Sequence, residues 1–191
     1  MHFRNLSIAA CTALLAAASL TTPALAQMGG MSMPANGAKK PMASPPATAT
    51  VTLAGKTLNI KYNSPSLRGR HLGGPEIVPW DQVWRTGANP ATTLTTPVPL
   101  HIGTLLVPAG TYTIYTMPSR DKWMLIVNKQ TGQWGTEYDM AKDLGRVEMK
   151  PHKLPSSQEV MSISFDDIKK DSAEMHIRWE TTDESVKIST P

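Results

Sequence analysis

The sequence has a single cysteine and few aromatic residues, and it carries no long apolar run beyond its first 26 positions. The cysteine is Cys11, which lies inside that first stretch. If the stretch is removed during export, the mature chain contains no thiol. Disulfide bonds, thiol catalysis and cysteine-containing metal sites, blue-copper sites among them, are then excluded.

Several motifs of enzymes and cofactor-binding proteins are also missing. The chain contains no G-x-S-x-G element of serine hydrolases, no P-loop and no dinucleotide-binding fingerprint. No two of its later histidines stand two or four positions apart, the spacing that lets one element present two metal ligands. We therefore expect no metal and no cofactor. The histidines concerned are His71, His101, His152 and His176.

The N-terminus has the pattern of an export leader. A basic head at His2 and Arg4 precedes an apolar stretch from Leu6 to Leu20, and Ala24-Leu25-Ala26 supplies the small residues of a cleavage site. Residues 1–26 are therefore predicted to be a signal peptide, which places the mature protein in the periplasm or outside the cell. Lipid attachment at Cys11 is disfavoured, because too few apolar residues separate it from Arg4.

Residues 27–47 are rich in Gly, Pro, Ser and Ala, and they are predicted to be a disordered linker. Thioethers are ligands suited to Cu(I), and the linker carries four of them. No histidine accompanies them, and methionines scattered in low-complexity sequence explain the pattern equally well. Whether they bind copper stays open. The four residues are Met28, Met31, Met33 and Met42.

From residue 48 the apolar pattern has a period of two, which predicts strands. Val51 and Leu53, then Leu58 and Ile60 after a turn at Ala54-Gly55-Lys56, predict a hairpin with one apolar face. About ten short strands at this spacing predict an all-β fold over residues 48–191, a single β-sandwich or jelly-roll-like domain. Turns are predicted at 169–171 and 182–184. The further strands are predicted at 92–96, 98–102, 111–117, 123–128, 146–150, 160–165, 173–180 and 185–190.

Residues 63–89 interrupt the alternation over a stretch too long for an ordinary hairpin loop. Arg68, Arg70 and Arg85 stand here beside Trp84, and a planar guanidinium suits carboxylate, phosphate or sulfate. Two roles stay open for Trp84 and Arg85: binding a ligand, or plugging the sandwich end while the arginine pairs with an internal carboxylate. Arg68 and Arg70 flank a glycine in a turn, and their expected exposure makes them the stronger candidates for ligand contact.

A second loop, Gln133 to Tyr138, contains Trp134 and is followed by Asp139 and Asp143. If both loops lie at one end of the sandwich, they enclose a cleft with a basic and an acidic wall. The structural alternative is that Asp143 pairs with Arg85 or with Arg146.

Part of the chain resembles a known family. The strings Tyr62-Asn63-Ser64-Pro65-Ser66, Val83-Trp84-Arg85-Thr86-Gly87-Ala88-Asn89, Pro108-Ala109-Gly110-Thr111-Tyr112 and Gln133-Trp134-Gly135 are similar to a bacterial exported family catalogued as DUF2911. The resemblance covers residues from about 48 to 190 and implies an exported β-rich domain without an agreed activity. Members of that family carry an acidic residue where this chain has Pro90, so a role tied to that acid is in doubt here.

The leading hypothesis from the sequence is a non-catalytic exported module that binds an unknown small molecule or glycan, with an anionic or glycan-like ligand favoured. Residues 27–90 hold seven Lys or Arg against two acids, which supports an anionic partner. Export argues against nucleic acid, and no transmembrane segment is expected in the mature chain. The predicted ligand-binding residues are Arg68, Arg70, Trp84, Arg85, Asn89 and Trp134.

Two alternatives stay open. One is a small envelope hydrolase acting on glycans or envelope components, with Asp81, Asp143 or His71 as acid or base. The other is a purely structural envelope protein in which the Trp-Arg loop is a plug. The sequence therefore leaves open whether the protein is an enzyme, and it also leaves the oligomeric state open.

Overall fold

A computed structural model describes residues 43–191, which form two antiparallel β-sheets. The predicted leader with Cys11 and the four linker methionines lie outside the described residues. Within this range no helix is long and apolar enough to cross a membrane.

The larger sheet has six strands in the order β1-β2-β3-β6-β7-β8, and the smaller has four in the order β5-β4-β10-β9. Both consist of antiparallel pairs, and this confirms the predicted all-β, sandwich-like fold. A single 3-10 turn, Met140–Lys142, precedes β8. The strands are β1 (Pro46–Leu53), β2 (Lys56–Asn63), β3 (Thr92–Thr96), β4 (Leu100–Ile102), β5 (Leu105–Val107), β6 (Gly110–Met117), β7 (Met124–Asn128), β8 (Asp143–Glu148), β9 (Lys150–Asp166) and β10 (Ser172–Ser189).

The first hairpin follows the predicted pattern. Val51 lies opposite Leu58, and both are buried because alternate side chains of a strand face the same side. The turn consists of Ala54 and Gly55, both with positive φ, as in the two-residue turns that match the twist of paired strands. Strand β1 already starts at Pro46, so the last two residues of the predicted linker belong to the sheet.

The main core lies between the sheets, and apolar residues from the strands of both contribute to it. A smaller cluster of Ala91, Tyr115 and Ile126 covers the opposite side of the larger sheet. Strand β7 is thus buried on both faces, and Leu125, Ile126 and Val127 have no exposed surface. The strand predicted at 123–128 is therefore a central strand covered on each side.

The predicted turn at residues 182–184 is wrong. Strand β10 continues through this region, with irregular pairing to β9 between Arg178 and Thr182. Of the residues that suggested a turn, Asp183 is buried and paired: its Oδ2 accepts from Arg178 Nε at 3.0 Å, and its Oδ1 lies 2.7 Å from His176 Nδ1. Internal pairing of charges thus allowed a strand where sequence composition indicated a loop.

Glu184, in the same stretch, is only 3% exposed, and its Oε2 is buried without a hydrogen-bond partner among residues 43–191. Burial, with a smaller contribution from Asp183, raises the pKa of this carboxyl from its ordinary 4.5 to about 7. In this pH interval the folded chain binds more protons than the unfolded chain, so the free energy of unfolding decreases as the pH rises.

We expect Glu184→Gln to remove this loss. At pH 8 the free energy of unfolding of the variant should be about 1–2 kcal/mol higher than that of the parent. At pH 4 this difference should disappear. Urea unfolding at the two pH values measures the difference. Glu148→Gln, at an exposed carboxyl, is the matched control and should leave the pH dependence unchanged. A gain of equal size at both pH values would contradict this assignment.

Candidate functional site

The segment between β2 and β3, residues 64–91, which holds almost all of the predicted non-periodic stretch, is fixed to the two sheets by backbone hydrogen bonds. Leu67 N donates to Glu159 O of β9 at 2.9 Å, and Trp84 exchanges two bonds with Thr116 of β6, at 2.7 and 2.8 Å. Its backbone is therefore ordered against the sandwich, as its large apolar side chains require.

Trp84 plugs one end of the core. It is 8% exposed, stacks on Trp179 with ring centroids 5.7 Å apart, and meets Trp123 edge-on at 6.2 Å. Its Nε1 donates to Gly87 O at 3.1 Å. Of the two roles left open for this residue, these contacts support the structural one, although its edge also lines a cavity.

That cavity, of about 290 Å³, brings together five of the six residues predicted to bind a ligand. Glu76 is the one acidic residue among the described residues that line it. The sixth predicted residue, Trp134, lines an adjacent cavity of about 550 Å³, and the two cavities share Ala43, Ser44 and Asn89. The five residues are Arg68, Arg70, Trp84, Arg85 and Asn89.

The second loop lies at the same end of the sandwich as the first. Gly135 N donates to Asn89 O at 3.2 Å, and Ala91 N donates to Gln133 O at 3.4 Å. A Cβ at Gly135 would lie only 2.1 Å from Arg85 Cδ, so only a glycine leaves space for the arginine stem at this position. The two loops therefore form one unit around Arg85.

The guanidinium groups of Arg70 and Arg68 donate hydrogen bonds to backbone carbonyl oxygens. Arg70 donates from Nε to Leu67 O at 2.9 Å, from Nη2 to Ser66 O at 2.9 Å, and from Nη1 to Glu76 O at 3.5 Å. Arg68 donates from Nη2 to Ala43 O at 3.1 Å. All three nitrogens of the Arg70 guanidinium thus donate to carbonyl oxygens of its own loop, whereas a single side-chain nitrogen of Arg68 donates to a described residue.

Arg85 differs from both. Its side chain forms no hydrogen bond or salt bridge with any other residue in the range 43–191, and its Nε is buried without a partner. Burial also lowers the pKa of this guanidinium. A buried donor without an acceptor is rare in a folded protein and calls for an explanation. The sequence favoured Arg68 and Arg70 for ligand contact, and the hydrogen bonds instead favour Arg85.

Asp143 does not supply the missing acceptor. Its Oδ2 accepts from Arg146 Nη2 at 2.9 Å and from Tyr138 OH at 2.7 Å, and its Oδ1 accepts from Asn128 Nδ2 at 2.8 Å. Burial and the bond to Asp143 raise the pKa of Tyr138 to about 12. The predicted pairing of Asp143 with Arg146 is therefore confirmed, and the acidic cleft wall expected from Asp143 is not found at the cavity.

The residues considered for hydrolysis do not meet at the cavity. His71 Nδ1 lies 2.5 Å from Glu180 Oε1, and Asp143 belongs to the network just described. Asp81 is exposed, in a stretch whose backbone bonds to Pro118 O. None of the three is among the described residues that line the cavity. Across residues 43–191 no group of three or more His, Cys, Asp or Glu side chains is placed to hold a metal ion.

Residues 43–45, which we call the strap, were not anticipated from the sequence; Ala43 and Ser44 border both cavities. Ser44 O accepts from Asn63 Nδ2 at 3.0 Å and from Asn89 Nδ2 at 3.4 Å. Pro45 O accepts from Ser64 N at 2.9 Å. No side-chain pattern marks the strap, because its carbonyl oxygens make these contacts.

A comparison with known families gives one match. The family model described as "Protein of unknown function (DUF2911)" matches residues 44–188. No curated protein and no solved structure matches the chain. The matched range contains both loops and every strand except the last residue of β10. The chain therefore belongs to the DUF2911 family.

Proposed function

We propose that this domain is an exported, non-catalytic binding module whose ligand carries an anionic group, and that Arg85 binds this group. The observation that carries the proposal is the half-buried Arg85 guanidinium, which has no carboxylate partner within residues 43–191 and borders a cavity of about 290 Å³. A cation in such a position is stabilised when an anion enters, because the anion supplies the acceptors that the fold does not.

The surroundings of Arg85 support this proposal. Arg68 and Arg70 line the same cavity, and Glu76 is the one acidic residue among its described lining residues. Three residues near the cavity have left-handed backbone conformations: Arg68, Thr86 and Asn89 have φ values of 51°, 52° and 60°. Such conformations are costly for a β-branched residue such as Thr86, and they occur preferentially at functional sites. The export part of the proposal depends on the leader pattern in residues 1–26.

We expect Arg85→Met to lower the affinity for a simple anion at least about thirtyfold, which corresponds to about 2 kcal/mol. Without the anion, the same variant should be more stable by about 1 kcal/mol, because an unpartnered buried donor is removed. Arg85→Lys keeps the charge but loses the planar fork, so an intermediate affinity is expected. Isothermal titration with phosphate, sulfate and acetate at constant ionic strength measures the affinities, and urea unfolding measures the stability.

Arg120→Met is the matched control, because Arg120 is exposed in the turn after β6 and does not line the cavity. It should change neither the affinity nor the stability. A wild-type protein that binds none of the three anions would contradict the proposed function. A stability loss in Arg85→Met, with no change in affinity, would show that the arginine serves the fold instead.

A further inference from the structure

The cavity next to the proposed anion site has an unusual wall. Trp134 is 50% exposed there, and Pro46 and Pro90 lie along the same cavity of about 550 Å³. An indole exposed to this extent contributes little to the core. Half-exposed tryptophans on a fixed backbone are characteristic of recognition surfaces, because they offer a large rigid face at a low cost in conformational entropy.

The backbone that carries this indole is held on both sides. Trp134 forms an isolated antiparallel bridge with Pro90, and Gly135 N donates to Asn89 O at 3.2 Å. Trp134 O accepts from Glu137 N at 2.9 Å. The fold therefore fixes the backbone from which the indole projects.

Trp134 and Arg85 lie on two loops that pack against each other, and the cavities that they line share residues. Gly135, the neighbour of Trp134, packs directly against the stem of Arg85, and Asn89 lines both cavities. A small molecule can therefore place an anionic group at Arg85 and the rest of its body against Trp134.

The polar groups of the cavity lined by Trp134 indicate which chemistry the non-anionic part of the ligand has. Its two asparagines, Asn63 and Asn89, each donate an amide hydrogen to Ser44 O of the strap. Most of the remaining surface comes from the tryptophan, the two prolines and Ala43. A hydroxyl-rich ring would leave many of its hydrogen bonds to water unreplaced in such a cavity, whereas a flat apolar body would replace water with favourable contacts.

We propose that the ligand is an amphipathic small molecule, a carboxylate attached to a flat apolar body of aryl type, which rests on Trp134 while its charge pairs with Arg85. This inference rests on the proposed anion-binding function. It narrows the ligand from anions in general, which include acidic sugars, to carboxylates with an aryl-type body. No covalent step is involved.

Titration of the purified protein with 2-naphthoate, acetate and glucuronate tests this inference. We expect 2-naphthoate to bind at least about tenfold more tightly than either of the others, because only its ring system can use the apolar face. Trp134→Ala should remove that advantage and leave acetate binding unchanged. Trp134→Phe should retain most of it, and Arg85→Met should weaken the binding of both 2-naphthoate and acetate.

Leu106→Ala is the matched control, because Leu106 is also about half exposed but lies on β5 of the smaller sheet. It should bind all three probes as the parent does. Equal affinity for 2-naphthoate and acetate would contradict the aryl ligand but not the anion site. Tighter binding of glucuronate than of 2-naphthoate would have the same meaning. Failure of the wild-type protein to bind any of these probes would overturn the anion site as well.

Discussion

Trp84→Ala should lower the free energy of unfolding by about 4 kcal/mol, the largest stability loss we expect from a single substitution in this domain. The side chain fills the end of the core against Trp179 and Trp123, and its Nε1 satisfies Gly87 O. Its removal leaves a cavity between two other indoles and an unpaired carbonyl. Urea unfolding followed by far-ultraviolet circular dichroism measures the loss.

Trp134→Ala provides the matched control for this measurement. It removes the same side chain, but from a half-exposed position, so we expect a loss of no more than about 0.5 kcal/mol. Trp84→Phe should fall between the two, since it keeps an aromatic face and loses the hydrogen bond. Similar losses for the alanine variants at positions 84 and 134 would contradict the division into a structural and an exposed tryptophan.

This division was only partly accessible from the sequence. The alternation of Val51 and Leu53 with threonines predicts a strand with one buried face, because a strand's side chains alternate whatever the tertiary context. The Trp-Arg segment could be expected to be ordered, because its apolar side chains need burial. Which of its residues serve the fold and which remain free depends on partners distant in sequence, such as Trp179 for Trp84.

The contacts of the arginines in this segment could be predicted even less well from the sequence. Arg70 was expected to be exposed, yet it is held by the carbonyl groups of its own loop, as at Leu67 O and Ser66 O. Carbonyl oxygens carry no sequence signature, since every residue has one. Arg85 was expected to pair with a carboxylate if it was structural, and Asp143 is instead engaged by Arg146. Within residues 43–191, Arg85 is therefore left without a carboxylate partner.

The strap and strand β10 were missed for related reasons. The strap borders both cavities through backbone atoms of a stretch whose composition resembles a linker. In β10, Asp183 and Glu184 have the composition of a turn, but Arg178 and His176 of the same strand contact the Asp183 carboxylate. Local composition predicts such segments poorly because partners outside the segment decide their conformation.

The second large effect is expected from Gly135→Ala. This substitution should lower the affinity for acetate or 2-naphthoate at least about tenfold. It should also lower the free energy of unfolding by about 2 kcal/mol. The added Cβ would lie 2.1 Å from Arg85 Cδ and 2.8 Å from Asn89 O. The arginine stem and the loop backbone must therefore both move. Because the guanidinium is then displaced, one methyl group on the opposite loop should impair anion binding without touching the charge itself.

Gly132→Ala, at the residue immediately before the same loop, separates this effect from a general disturbance of the loop. Gly132 has a φ of 81°, so alanine there is expected to cost about 1 kcal/mol through its backbone conformation. A Cβ at this position meets nothing within 4 Å among the described residues, and the affinity for either anion should stay unchanged. If both glycine variants lost affinity equally, binding would depend on the mobility of the loop. If Gly135→Ala lowered the stability but not the affinity, Arg85 would not be the residue that holds the anion.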